Sequence, residues 1–219
     1  MNRACCRLAA LFLIGLAVFA PIAAGDGSTV MVQNEAIRLV VNDTDDGRGR
    51  FAVDVTGGDP ARVEDNGQPL IYGRPIPWTS YTTVRIDGVS YAFGGPTTRR
   101  AGKDLPTGEA TTLPVVKDGA IISAWRYGEI EVTQHLSIVD GPTTGALDTA
   151  RIAYTITNRG QERHRVGLRI CLDTMLGEND GAPLRMGARQ IETDEALSGA
   201  QIQPYWQAFD SLSEPKVIA

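Results

Sequence analysis

Helical periodicity is almost missing from this chain, and with it the crossover helices that a parallel sheet requires. Histidine is nearly missing too. His135 and His164 are the two imidazoles in 219 residues, which leaves little material for a multi-histidine centre or a nucleophile–imidazole pair. Gly-x-Ser-x-Gly, His-Glu-x-x-His and phosphate-loop signatures do not occur. Cysteine is limited to Cys5, Cys6 and Cys171. The first two sit in a segment expected to be removed, so the mature chain keeps one thiol and forms no internal disulfide. Its stability must then come from burial, although it is expected in an oxidising compartment. The linear sequence also lacks a basic stripe. Net charge is −5, and it becomes −7 once Arg3 and Arg7 leave. Such a chain is a poor ligand for a phosphate backbone, so no nucleic-acid partner is expected.

What is present begins with an export signal. Arg3 and Arg7 precede the apolar run Leu8 to Ala20, which ends at Pro21 and the small residues Ala23, Ala24 and Gly25. That order is the secretory layout. Cleavage is expected before Asp26, giving a signal peptide over 1–25 and one domain over 26–219. The rival is an uncleaved anchor, but the run is shorter than the roughly 20 residues needed to cross a bilayer. No membrane span is expected after cleavage. Cys5 and Cys6 precede the apolar run, where a lipid-bearing cysteine would have to follow it. The expected location is the periplasm or the exterior.

Beyond the leader, alternation with period two dominates. Ile130, Val132, Leu136 and Ile138 oppose Glu129, Glu131, Thr133, His135 and Ser137, and Val166, Leu168, Ile170 and Leu172 oppose Arg165, Gly167, Arg169 and Cys171. Shorter alternations occur at Ile37–Val41, Phe51–Val55 and Ile152–Ile156. Each predicts a strand with one buried face. Asp87-Gly88 and Asp118-Gly119 predict type I′ hairpins, Tyr127-Gly128 a third tight turn, and Asn158-Arg159-Gly160 a fourth. The fold class expected is all-β, an antiparallel β-sandwich or a large supersandwich-like variant of one, with a closed barrel as the alternative. A helical turn is expected within Gln203–Leu212. The final Lys216-Val217-Ile218-Ala219 reads as an unfinished strand, which suggests a C-terminally truncated unit.

Candidate sites are few. The loop holding Asp173, Glu178, Asn179 and Asp180 gathers hard oxygen ligands beside glycine, a set that suits Ca²⁺; the rival reading is an Asx turn at Asn179-Asp180-Gly181. A second acidic run, Asn42 to Gly47, fails as a calcium loop because its twelfth position is Val53 rather than a bidentate glutamate. Trp125 and Tyr127 share a strand face, and Tyr205 and Trp206 lie in a loop. As exposed rings these four would stack on sugar; as core residues they would only pack. Cys171 is expected to be buried and inert. His135 is expected on a polar face. Glu129 and Glu131 lie on one face with a spacing open to paired-carboxylate chemistry.

Three segments carry a resemblance: Thr79-Ser80-Tyr81-Thr82-Thr83-Val84-Arg85-Ile86-Asp87-Gly88, Leu172-Asp173-Thr174 with Asn179-Asp180-Gly181-Ala182-Pro183, and Tyr205-Trp206-Gln207-Ala208-Phe209-Asp210. Together they resemble a group of exported bacterial proteins without established function. The stretch Ile152 to Leu172 is similar to Ig-like adhesion modules, and a looser likeness reaches the sandwich of carbohydrate mutarotases without carrying over any catalytic residue. The expected role is a structural or interaction module of the bacterial envelope, partnered by a polysaccharide or another envelope protein. The alternatives are a carbohydrate-binding domain and a sugar-active hydrolase or epimerase.

Overall fold

A computed structural model of the chain describes residues 27–218. The expected signal peptide and its cleavage point lie outside the described residues. The alternating segments all form strands, and the strands are arranged in four antiparallel sheets. The first sheet orders β1 (Thr29–Gln33), β2 (Ile37–Asn42), β3 (Phe51–Val55) and β4 (Pro69–Ile71) side by side. The second contains β5 (Tyr81–Ile86) and β6 (Val89–Ala92), which are joined through Asp87-Gly88. The third is a meander of β7 (Glu109–Lys117), β8 (Ala120–Tyr127), β9 (Ile130–Asp140) and β10 (Leu147–Asn158). The chain then returns to the second sheet, where β11 (Val166–Cys171) pairs with β5. Short strands β12 (Leu184–Met186), β13 (Arg189–Ile191) and β14 (Gln207–Ala208) make a small fourth sheet. Every sheet is open at its edges, so the barrel alternative does not apply.

The hairpin turns follow their sequence. Asp87 and Asp118 take φ of 49° and 50°, followed by Gly88 at 92° and Gly119 at 76°. Consecutive positive φ values give the type I′ twist that antiparallel strands need. The Asn158 turn behaves differently. Its side chain accepts from Gly160 N–H and donates to the Glu162 carbonyl, while Arg159 N–H donates to the Glu129 carbonyl. These bonds steer the chain away from β10, so β10 and β11 belong to different sheets. The connection is an arch across the sandwich and not the tight hairpin that the sequence suggests.

One face of the long third sheet is covered by two shorter sheets. At one end Ile121 and Leu136 pack with Val32, Leu39, Val41, Phe51 and Val53 of the first sheet. At the other end Trp125, Tyr127, Ile130 and Val132 pack with Val84, Ile86 and Phe93 on the second sheet's side. Between the two clusters Ser123 and Gln134 face one another across β8 and β9, both buried. Gln134 Nε2 donates to the Tyr154 hydroxyl at 2.7 Å, and that hydroxyl shares a hydrogen bond with Thr82 Oγ1. Burial raises the Tyr154 pKa, which keeps this polar seam uncharged. Each apolar cluster buries seven side chains, and at about 1.5–3 kcal/mol apiece either one outweighs the seam's two unpartnered atoms, Ser123 Oγ and Gln134 Oε1.

A third cluster of Leu176, Ala208 and Val217 ties the fourth sheet to Leu70 of the first. The helical turn expected within Gln203–Leu212 is replaced by strand β14, and a 3₁₀ turn falls earlier, at Gly199–Gln201. Ile218 meets Phe209 in a single antiparallel bridge.

Trp125 packs edge-on against Phe93 at 4.9 Å. Trp125→Ala is expected to cost about 3–5 kcal/mol of unfolding free energy, the range for a large buried aromatic. Urea unfolding followed by far-UV dichroism measures it. A loss near 1 kcal/mol would mean that the second cluster does not hold the sheets together.

Candidate functional site

The residues singled out from sequence are scattered by the fold. Trp125 and Tyr127 do share a face, but it is the covered one. They are 2% and 6% exposed, and the Tyr127 hydroxyl donates to the Ala92 carbonyl at 3.0 Å. Their rings are committed to packing, which corrects the expectation of a sugar-stacking surface there. Tyr205 and Trp206 are exposed, at 65% and 52%.

The acidic loop is anchored rather than open. Leu176 is fully buried in the third cluster, and the Asp173 backbone bridges Ser80 Oγ and Tyr72 N–H. Both ends of the Asn179 side chain are used: Oδ1 accepts from Gly181 N–H and Nδ2 donates to the Asp210 carbonyl. This is the Asx turn. Among the described residues no three acidic, imidazole or thiol side chains converge as a cation site, so Asp173, Glu178 and Asp180 are not brought together as ligands.

Cys171 is exposed, contrary to expectation. It stands on the outer face of β11 opposite Tyr81, at the far end of that strand from His164. Among the described residues no cysteine–imidazole pair forms. Glu131 is taken by Arg159 at 2.6 Å, and Glu129 turns toward His164, so the two glutamates do not act as a pair.

The least satisfied surface is the edge where β10 and β11 lie above one another. Among the described residues each of these strands has one hydrogen-bonded neighbour and one free side. On the free side the inner face stays partly open: Leu168, Ile170, Leu172 and Ile156 are 36–41% exposed. Val166 and Tyr154 border them and pack against the second cluster. The ladder fixes the backbone as well. Asp87 N–H donates to the Arg165 carbonyl, and antiparallel pairing alternates inward-bonded with outward-facing residues. Gly167 and Arg169 therefore bond to β5, while Val166, Leu168 and Ile170 present their N–H and C=O groups to the free side. Apolar side chains and unpaired amides thus occur on the same three residues. Sequence alternation predicted the apolar face but held no sign that nothing covers it.

No family model, curated protein or solved structure matches this chain.

The arch beside the open edge is fastened by His164. Its Nδ1 lies 2.7 Å from Asp87 Oδ2 and its Nε2 lies 3.5 Å from Glu129 Oε2, while Asp87 Oδ1 accepts the Arg165 N–H at 2.8 Å. Three connections, the β5–β6 turn, the β8–β9 turn and the arch, meet at this imidazole. It borders a groove of about 890 Å³ that also contains Tyr91, Glu109 and Arg126. Both ring nitrogens face carboxylates, which leaves neither for proton abstraction from a substrate. The hydrogen bond to Asp87 first, then that to Glu129, raises the His164 pKa above its ordinary 6.5. Asp87 is lowered by the Arg165 N–H and then by His164.

A raised histidine stabilises the fold fully below the unfolded pKa and stops doing so as pH climbs through the folded pKa. Asp87 acts in the opposite sense, losing its contribution as pH falls below the carboxylate range. The latch is therefore complete between about pH 4 and 6.5. Melting temperature is expected to fall as pH rises above that window, and His164→Gln should remove this fall. An unchanged slope in the variant would show that His164 is not the titrating latch.

Proposed function

We propose that this chain is an exported interaction module of the bacterial envelope or exterior that takes an extended strand of a partner protein onto its open β10/β11 edge. The leader Arg3 to Gly25 supports export. The docking role rests on one observation: Leu168 and Ile170 combine half-open apolar side chains with outward, unpaired amides. In strand addition the main chain supplies affinity and alternate side chains supply specificity. An unprotected edge of this kind is otherwise a liability that natural sheets block with charge or proline.

Charge around the edge defines the occupant. Arg151, Arg163 and Arg165 are exposed beside it, and none is paired with a carboxylate among the described residues. The net charge of the chain is negative, so this local excess of cations does not follow from composition. The occupant is a strand with apolar residues facing Leu168 and Ile170 and acidic residues on the opposite face.

Binding of a ten-residue peptide alternating valine with glutamate, followed by fluorescence anisotropy, tests the reading. Affinity is expected to drop by about tenfold or more in Ile170→Lys, which places a charge in the apolar contact. A valine–lysine peptide should bind worse than the glutamate peptide. Equal binding of both peptides would overturn the proposal, as would an Ile170→Lys variant that binds normally. Self-association of the chain through this edge, abolished by Ile170→Lys, would assign the site to a second copy instead. The exposed Tyr205–Trp206 pair supports a second reading, a sugar-stacking surface on the fourth sheet's side.

A further inference from the structure

The loop between β6 and β7, residues 93–108, folds over the outer face of the second sheet and is held from beneath by Arg50. This side chain is fully buried. Its Nη1 donates to the Gly95 carbonyl at 3.3 Å and its Nη2 to the Ala101 carbonyl at 2.9 Å. The guanidinium stands over the Tyr81 ring at 5.9 Å, and its Nε has no partner. Burial lowers the Arg50 pKa and nearby Asp46 opposes this; guanidinium stays protonated in proteins. The loop passes this cation at Gly102, where φ is 82° and a Cβ would come within 3.2 Å of Arg50 Nη2 and 3.3 Å of the Tyr81 ring. Glycine allows that approach.

Between the loop and the sheet lies a cup of about 310 Å³, at the small end of ligand-sized cavities. Tyr81 and Thr83 form its floor with Ser90, Arg169 stands on the β11 side, and the loop contributes Arg100, Lys103 and Asp104. Arg100, Lys103 and Arg169 are exposed and make no ion pair among the described residues. Three free cations thus surround one carboxylate, with the buried Arg50 charge directly behind Tyr81 and Gly102.

We propose that this cup binds a uronic-acid residue of an acidic polysaccharide. Planar guanidinium groups at Arg100 and Arg169 match a carboxylate, which they can grip through two parallel hydrogen bonds. Asp104 repels any anion, but a bare phosphate or sulfate has no hydroxyl-bearing ring to offset this, whereas the hydroxyls of a sugar acid can donate to that carboxylate. A sugar acid uses all the groups present. The apolar face of its ring lies on Tyr81, and its hydroxyls meet Thr83, Ser90 and the Asp104 acceptor. The site is on the outer face of the second sheet, so it is independent of strand docking at the inner edge.

Titration calorimetry with trigalacturonate tests the proposal, with galactotriose as the neutral control and inorganic phosphate as the bare anion. Trigalacturonate should bind, and Arg100→Ala and Arg169→Ala should each weaken it about tenfold, the cost of one charge-assisted contact. Both positions are exposed, so the variants should keep the melting temperature of the parent chain. Exposed Cys171, opposite Tyr81 on β11, gives an independent readout. Its rate of labelling by a bulky maleimide should fall when trigalacturonate is bound. Ile170→Lys should leave this binding intact. Absence of binding, equal affinity for galactotriose, or displacement by phosphate at equal concentration would each overturn the assignment.

Discussion

The third sheet presents one long apolar face, and the rest of the fold is the means of covering it. No single partner sheet matches its length, so two sheets divide the task and meet at the Ser123–Gln134 seam. Two unpartnered buried polar atoms there cost about 1–3 kcal/mol each. The apolar clusters on either side repay that several times over, which is why the seam is tolerated. Tyr154 and Thr82 do more than satisfy Gln134. They link β10 to β5 across the sandwich and so fix the position of the second sheet on the third.

Coverage by the second sheet ends at β11, and the arch from Asn158 to Arg165 places that strand above β10 without joining it. The open edge is therefore a consequence of the division into two covering sheets. His164 holds the arch by binding both flanking turns, which keeps β11 in place although one of its sides is free. On the proposed reading the same sheet serves twice. Its inner edge offers apolar side chains and amides, while its outer face, roofed by the Arg50-anchored loop, offers charge and hydroxyls.

Much of this fold was legible in the sequence, because period-two alternation and Asp-Gly turns are local properties. Strands β2, β3 and β9 to β11 fall where alternation places them, and β5 to β8 flank the Asp-Gly turns that predict hairpins. The short strands β4 and β12 to β14 carry too few residues to show a period. Which face is buried was harder to read. In β8 both faces carry apolar residues, Ile121, Trp125 and Tyr127 on one and Ala120, Ile122 and Ala124 on the other, so only packing reveals that the tryptophan lies inside. Gln134 sits on the apolar face of β9 and Ser123 on the buried face of β8, and these two breaks in the pattern were the local signs of the seam. The arch was misread because Asn-Arg-Gly suits a tight turn, whereas bonds to Glu129 and Glu162 widened it. The cup left no sequence signal. Tyr81, Arg100, Lys103 and Arg169 are distant in the chain, and an acidic composition concealed a cationic face.

The central claim is that β11 has a free side awaiting a strand, and amide hydrogen exchange measures it directly. In the free chain the amides of Leu168 and Ile170 should exchange much faster than those of Gly167 and Arg169, which bond to β5. Adding the valine–glutamate peptide should slow Leu168 and Ile170 selectively. If these two amides are already protected in the free chain, the edge is covered and the docking account is wrong.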